Sequence, residues 1–369
     1  MWIRIKAFCN EAPEQKFPCL RCGEFFEVSE VPKVRMGRRG LLMGRYFEYA
    51  EKEKRYHTYD YYLKKAFGCK CAKIGLDGGF TCPNKDGTKG TGGCFFCGGG
   101  GGETTAPACE PLRLQYEKGR ARLEKKWGRL PTIPYFQANT STYAPVSRLR
   151  ALFEEALSFE DVRGLTIATR PDALPPQVLS YLAELNARTR LTVELGLQSV
   201  FETTARRINR GHTYEEFLQG YEALKSRGIR VCVHLIDGLP GETPEMMLES
   251  ARVLGKLGPD GVKFHQLYVR KGTGAEEAYR RGELPLLSLA EYLEILACQI
   301  CLLPPETVVE RISGDPEKSE LCAPPWCTDK KKILGGLDQY LEKRGLVQGI
   351  WHNCTKISPG FLDFEQQKF

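Results

Sequence analysis

Between residues 72 and 267 the chain repeats one pattern: a short apolar run rich in β-branched and aromatic residues, then loop residues, then a stretch of helical period. Six such runs stand out, at 72–76, 133–137, 164–168, 191–195, 231–236 and 262–267. Most are too continuously apolar for a sheet with one face in water, so parallel strands buried on both faces fit them better. Helices are predicted over 111–126, 147–159, 176–188, 202–209, 214–226 and 244–257, with Pro175-Pro176 and Thr243-Pro244 as start signals. Strand followed by helix, six times over, implies parallel strands with right-handed crossovers in an α/β fold, either a doubly wound sheet or a full or partial barrel.

After Tyr268 the pattern turns helical around 274–281, 289–302 and 331–343, with a Pro- and Cys-containing stretch between 304 and 327. The first forty or so residues hold no sustained period. Met36 and Met43 both precede the patterned chain, so this segment reads as an extension or as sequence upstream of the true start. The expected organisation is an N-terminal extension over 1–45, an α/β body over 46–285, a small, mainly helical C-terminal subdomain over 286–349 and a loosely docked tail over 350–369.

Composition narrows the class. With 42% hydrophobic and 27% charged residues, the 369-residue chain is neither disordered nor collagen-like. Its 53 basic and 46 acidic residues leave a net charge of +7, which tolerates a polyanionic partner but falls short of a dedicated nucleic-acid binder. No stretch approaches the roughly 18 apolar residues of a membrane span, and the opening Met1-Trp2-Ile3-Arg4-Ile5-Lys6 lacks a signal-peptide core, so a cytoplasmic location with no membrane partner is expected. In a reducing compartment fifteen cysteines, an odd number, read as candidate metal or catalytic ligands and not as disulfides.

Three of them follow the first strand directly. Cys82, Cys94 and Cys97 stand on a Gly-rich loop with spacing Cys-x11-Cys-x2-Cys, at the strand end where barrel and doubly wound enzymes place their sites. Three thiolates suit a [4Fe–4S] cluster with one iron left open, whereas a structural zinc site wants four closed ligands. The alternatives are zinc completed by Cys109 or His57, and a loop that is merely turn-rich.

The loop also carries a resemblance. The segments Arg55-Tyr56-His57-Thr58-Tyr59, Gly79-Phe80-Thr81-Cys82-Pro83-Asn84-Lys85-Asp86-Gly87 and Gly92-Gly93-Cys94-Phe95-Phe96-Cys97 are similar to those of the YhcC/YtqA-type radical S-adenosylmethionine family. Further matches are Tyr135-Phe136-Gln137-Ala138, Ala168-Thr169-Arg170-Pro171-Asp172, Val193-Glu194-Leu195-Gly196-Leu197-Gln198, Arg207-Ile208-Asn209-Arg210 and His234-Leu235-Ile236-Asp237-Gly238-Leu239-Pro240, together spanning about 55–349. The resemblance implies a partial (βα)6 TIM-like barrel in which Cys82, Cys94 and Cys97 hold a [4Fe–4S] cluster. The open iron chelates S-adenosylmethionine, an external reductant such as a flavodoxin or ferredoxin supplies an electron, and a 5′-deoxyadenosyl radical abstracts hydrogen from the substrate. The family is similar to the radical domain of the Elongator catalytic subunit and, more distantly, to the oxygen-independent coproporphyrinogen oxidases. That kinship, with the weak basic bias, makes tRNA the expected substrate, against a zinc-stabilised RNA-binding protein on the same scaffold. Two departures limit it: too little patterned chain follows Cys327 for an acetyltransferase domain to be expected, and Ala168 stands where those relatives carry a carboxylate.

By the same resemblance, Gln198 contacts the ribose hydroxyls and Arg210 the methionine carboxylate, roles an amide and a guanidinium suit. Asn139, Thr140, Ser141 and Thr142, after the second strand, hold the methionine amino group. Glu194 is expected as a polar cofactor contact. His234 and Asp237 are within reach of the adenosine or the substrate, with His265, Lys263 and Arg270 as further substrate-side candidates. The bland alternatives are a buried structural amide, a helix-end charge and strand-end histidines that only pack. Cys322 and Cys327, around Pro324-Pro325-Trp326, read as a packing corner. Cys298 and Cys301 read as core, and Cys19 and Cys22 as a weak candidate for zinc with Cys69 and Cys71.

Overall fold

The computed structural model describes residues 47–51, 53–98 and 110–353 of the chain, and two short antiparallel strands, Phe17–Pro18 and Phe25–Phe26. The body of the chain lies within Gly44–Cys354. Met36, Met43, Cys19, Cys22, Cys109 and the residues after 353 lie outside the described residues.

All six strands read from the sequence form: β1 (Ala72–Leu76), β2 (Thr132–Phe136), β3 (Leu165–Thr169), β4 (Leu191–Gln198), β5 (Arg230–Asp237) and β6 (Gly261–Gln266). They pair in chain order, every pair parallel, and the sheet curls into a half-barrel. A seventh strand, β7 (Val308–Arg311), was not foreseen. It lies in the stretch taken for a connection and adds in parallel to β6. Its open edge is covered where Val309 N donates to His57 O at 2.8 Å, beside a bridge between Thr58 and Val309. Such a cover removes an edge that would otherwise invite pairing.

The crossover helices are α2 (Leu112–Trp127), α3 (Val146–Leu157), α4 (Pro176–Asn186), the α5 (Glu202–Arg207) and α6 (Tyr214–Lys225) pair, and α7 (Pro244–Leu257); α1 (Tyr59–Phe67) precedes β1. Their starts follow local chemistry. Pro176 and Pro244 occupy the first turn, where a missing N–H costs nothing, and Thr213 with Glu216 forms a reciprocal capping box. After the barrel come α8 (Gly274–Arg280), α9 (Leu289–Leu302), started by a Ser288 and Glu291 capping box, and α10 (Lys330–Lys343). α9 packs on α7 and α10 on α9. Among the described residues no helix is long and apolar enough to cross a membrane.

The period of two along each strand separates two faces. Ile74, Leu76, Phe136, Ile167, Val193, Leu195, Val233, Val262 and Phe264 are buried in one core cluster with helix residues such as Leu149, Phe153, Leu182, Phe217 and Leu254. Truncating an aromatic there, Phe153 for instance, costs about 3–5 kcal/mol. The alternate positions turn to the concave side and are polar: Lys73, Tyr135, Glu194, His234, Lys263 and, on β7, Glu310 meet one another there. The expectation of two buried faces holds, but the inner one is buried and charged.

Candidate functional site

The three cysteines sit on a loop leaving the C-terminal end of β1, and the loop is shaped by its own backbone bonds. Cys82 O accepts from Lys85 N at 2.8 Å and Asp86 N at 3.1 Å, and Cys97 N donates to Cys94 O at 2.8 Å, so each half of the cysteine set is held by a tight turn. Asn84 joins them: its side-chain N–H donates to Asn209 O at 2.5 Å and to Cys94 Sγ at 3.8 Å, while its backbone carbonyl accepts from Gly93 N at 2.8 Å. Asn209 answers by donating to Gly93 O at 2.8 Å and Thr91 O at 3.2 Å. Phe95 N donates to Ile208 O at 2.8 Å, and Phe95 O accepts from Ala275 N at 3.0 Å. The cysteine turn is thus clamped between the end of α5 and the start of α8.

All three thiols are half-buried. Burial, reinforced by Cys97 and Cys82 nearby, pushes the Cys94 thiol up to about 12, so its thiolate forms here only beside a cation that offsets the charge. Arg170 lies close enough to act on Cys82 and Cys94, and Arg210 on Cys94. Among the described residues no three Cys, His, Asp or Glu side chains converge on a single metal ion. His57, one suggested fourth zinc ligand, instead has its Nδ1 3.0 Å from Glu306 O and stacks on Tyr49; Cys109, the other, lies outside the described residues.

In and around the loop lie buried polar atoms with no hydrogen-bond partner among the described residues: Asn84 Oδ1, Thr140 Oγ1, Gln198 Oε1 and Arg210 Nη2. Leaving such atoms unpaired costs about 1–3 kcal/mol each, which an incoming polar ligand recovers. Gln198 is the most telling. It adopts φ +64°, rare for a residue with a side chain, and its amide folds back over Gly196, where a Cβ would lie 2.5 Å from Nε2. Asn139, also left-handed at φ +57°, accepts from Lys85 Nζ at 3.0 Å and donates to Phe80 O at 2.9 Å. Thr140 N donates to Thr81 O at 3.2 Å, so Asn139 and Thr140 touch the loop. Three thiols, flanking cations and unpaired polar atoms fit a [4Fe–4S] cluster with a polar organic ligand beside it.

Other expected residues are placed differently. Ser141 bonds back to Phe136 O and Ala138 O, and Thr142 bonds to Thr169 and Ala173 O. Arg210 is fully buried and spends its guanidinium on Leu197 O, Ser199 O and His212 O at 2.6–3.0 Å, leaving Nη2 unbonded apart from Glu202 at 3.8 Å. Arg170 grips Asp172 with two bonds of 2.9 Å and donates to Arg210 O at 2.6 Å. Beside them His212, foreseen in no role, has both ring nitrogens buried without a partner among the described residues. Burial and then Arg210 lower it to about 2, so it stays neutral. Asp237 faces α9, where Gln299 donates to it at 2.7 Å. Arg270 lies against Gly98. Cys322 is exposed beside Glu276, while Cys327, Cys298 and Cys301 are buried.

Glu194 is brought not to the rim but to the middle of the inner face. Its Oε1 meets Lys73 Nζ at 2.8 Å; its Oε2 meets Lys263 Nζ at 2.5 Å, Tyr135 OH at 2.6 Å and His234 Nε2 at 2.8 Å. Burial works to raise its pKa, but Lys263 and Lys73 outweigh it and keep the carboxylate ionised. Burial lowers His234, which stays neutral at pH 7 despite its bond to Glu194. Glu310 extends the cluster to Lys73 at 2.9 Å and Arg230 at 2.5 Å. Lys73, Arg230 and Glu310 were missed because each stands in a different strand with no neighbouring motif. The usable signal is a single charge at an inward position of an otherwise apolar strand.

Residues 86–254 match the Radical SAM superfamily and residues 259–343 the Radical_SAM C-terminal domain. YtqA of Bacillus subtilis is 44% identical over 310 residues, covering 84% of this chain and 96% of the relative. A tRNA uridine(34) acetyltransferase of Methanocaldococcus infernus is 32% identical over 187 residues, half of this chain but 34% of that protein. The solved archaeal Elp3 of M. infernus shares the fold, with TM-score 0.57 and 21% identity over 75% of this chain and 64% of that one.

Proposed function

The chain belongs to the radical S-adenosylmethionine superfamily, and from that premise we propose that Cys82, Cys94 and Cys97 hold its [4Fe–4S] cluster and that the chain is a radical enzyme acting in the cytoplasm. The observation that carries the reading is the three-cysteine loop at the C-terminal end of β1, with unpaired buried polar atoms within it at Asn84, beyond β2 at Thr140 and at the end of β4 at Gln198. Bound there, the cluster would supply an electron for the reductive cleavage of S-adenosylmethionine, the chemistry from which hydrogen abstraction from a substrate starts.

The chain's own residues position and insulate. Asn84 and Asn209 fix the loop, and Arg170 and Arg210 offset the negative charge of the thiolates. Gln198 Oε1 and Thr140 Oγ1 offer acceptors to S-adenosylmethionine, with Asn139 shaping the same rim and Arg210 Nη2 the one guanidinium nitrogen left for a carboxylate. Glu194 and His234 act from below the rim, toward the substrate. A flavodoxin or ferredoxin is the proposed reductant. A tRNA substrate is supported by the relative whose name carries it and by the net charge of +7.

Anaerobic reconstitution of the wild type and of a Cys82→Ala, Cys94→Ala, Cys97→Ala triple variant tests the centre. Four irons with sulfide, and reductant-dependent 5′-deoxyadenosine, are expected of the wild type alone. Zinc without iron, or iron kept by the variant, overturns the assignment. For tRNA, retention should weaken as salt rises, because Lys and Arg contacts release counterions; absent or salt-insensitive retention removes that substrate.

A further inference from the structure

The inner face of the half-barrel gathers more positive charge than its carboxylates neutralise. Three buried or nearly buried cations, Lys73, Lys263 and Arg230, share two carboxylates, Glu194 and Glu310. His234 and His265 do not relieve the excess, since their rings, stacked with centroids 5.7 Å apart, are both held neutral by burial. A buried cation without its own counter-charge is expensive, and a cavity that keeps one is preorganised for an anion.

The donors point the same way. The Lys263 ammonium has three N–H groups, of which Glu194 at 2.5 Å and Tyr135 at 3.3 Å take two, leaving one. Two residues along the same face of β6, His265 Nε2 is buried with no partner among the described residues. This face is not sealed, as the side chains of His234 and Lys73 keep 21% and 15% exposure. His234 pairs across strands with Gly196, the residue beneath the Gln198 amide, so these groups lie one layer below the rim.

We infer that this face is a binding seat for an anionic group of the substrate, a carboxylate or a phosphate, held by Lys263 and His265. That the bound molecule is a substrate rests on the radical reading; the seat itself rests on the charges. An anion fixed here would orient the rest of the molecule toward the rim, where a hydrogen is to be removed.

Full-length protein carrying its cluster is titrated calorimetrically under anaerobic conditions with inorganic phosphate and, separately, acetate, each at constant ionic strength against chloride. Saturable binding of one anion is expected, and which one saturates identifies the group. Affinity should fall at least tenfold in Lys263→Met and in His265→Asn. The second variant leaves all the Glu194 pairs in place and so keeps the test valid if the first does not fold. No saturation by either anion, or equal affinity in wild type and His265→Asn, overturns the seat. The titration uses no S-adenosylmethionine or reductant, so its failure leaves the radical reading standing. Anion binding retained by the iron-free triple cysteine variant would show the two to be separate.

Discussion

His234 Nε2 and Glu194 Oε2 lie 2.8 Å apart on neighbouring strands, and that carboxylate is the only anion within reach of Lys263 among the ion pairs of the described residues. Glu194→Ala would therefore strand one buried cation and leave Lys73 with Glu310 alone. Breaking such a pair from one side costs about 3–5 kcal/mol, because the remaining charge stays desolvated. Glu194→Gln, which keeps the shape and a carbonyl acceptor, should lose less. Urea denaturation of the three proteins checks the order; equal stability of wild type and Glu194→Ala would mean the cluster is hydrated.

Asp237 sets a pH dependence. Burial raises its carboxyl, Gln299 opposes, Glu242 adds to the rise, and the group reaches about 8 against an ordinary 3.8. Between those values the folded state keeps a proton that the unfolded chain has lost. Its contribution to stability is thus full below about 4 and disappears as pH rises through about 8. Asp237→Asn should flatten this slope and raise the melting temperature by several degrees at pH 8, with little effect at pH 4. Melting curves of both proteins across that interval decide it; parallel pH profiles would place the titration elsewhere.

The apolar face of each strand was readable residue by residue, because burial against helices leaves a run such as Leu191-Thr192-Val193-Glu194-Leu195. The cysteine loop stood out as a candidate because its three thiols and their glycines are close in sequence. β7 was not readable: Val308-Val309-Glu310-Arg311 offers two apolar residues and then two charges, too little for any period, and it becomes a strand through β6 and the backbone before α1. The inner charge cluster was only half seen. Glu194, His234 and Lys263 drew notice as strand-end polar residues, but their partners Lys73 and Glu310 stand 237 positions apart and meet only once the sheet curls. Nor does sequence reveal that Gln198 takes a glycine-like φ.

Gly255 records how closely the C-terminal helices dock. A Cβ there would lie 2.4 Å from Leu302 O, a backbone atom at the end of α9 that cannot swing aside. Gly255→Ala should cost about 1–3 kcal/mol through overpacking, although alanine is the better helix former. A denaturation midpoint unchanged or raised by the substitution would show that α7 and α9 separate easily.

Asn84 ties the cysteine loop to the segment after α5, and Asn84→Ala removes both its bond to Asn209 O and its contact with Cys94 Sγ. The fold should lose only about 1 kcal/mol, the net worth of one hydrogen bond. Iron occupancy should drop further, since Cys94 would no longer be held relative to Cys82. Iron and sulfide analysis after reconstitution, set beside the melting temperature, separates loop positioning from general damage; full iron content in the variant would show that the turns alone suffice.

Gly196 offers a test of Gln198 that leaves Gln198 itself in place. An alanine Cβ would sit 2.5 Å from Gln198 Nε2, but that atom is the far end of a flexible side chain and can move away. Gly196→Ala should therefore fold nearly as well as wild type while displacing the amide from its position at the end of β4. If Gln198 Oε1 awaits S-adenosylmethionine, the affinity of the reconstituted protein for it should fall about tenfold, the worth of one hydrogen bond to a ligand. Gln198→Ala should fall as far, and the double variant no further, because both changes remove the same contact. Equilibrium dialysis gives all three numbers. Undiminished affinity in the two single variants would take Gln198 out of the cofactor's surroundings and leave its φ of +64° as strain that serves the backbone alone.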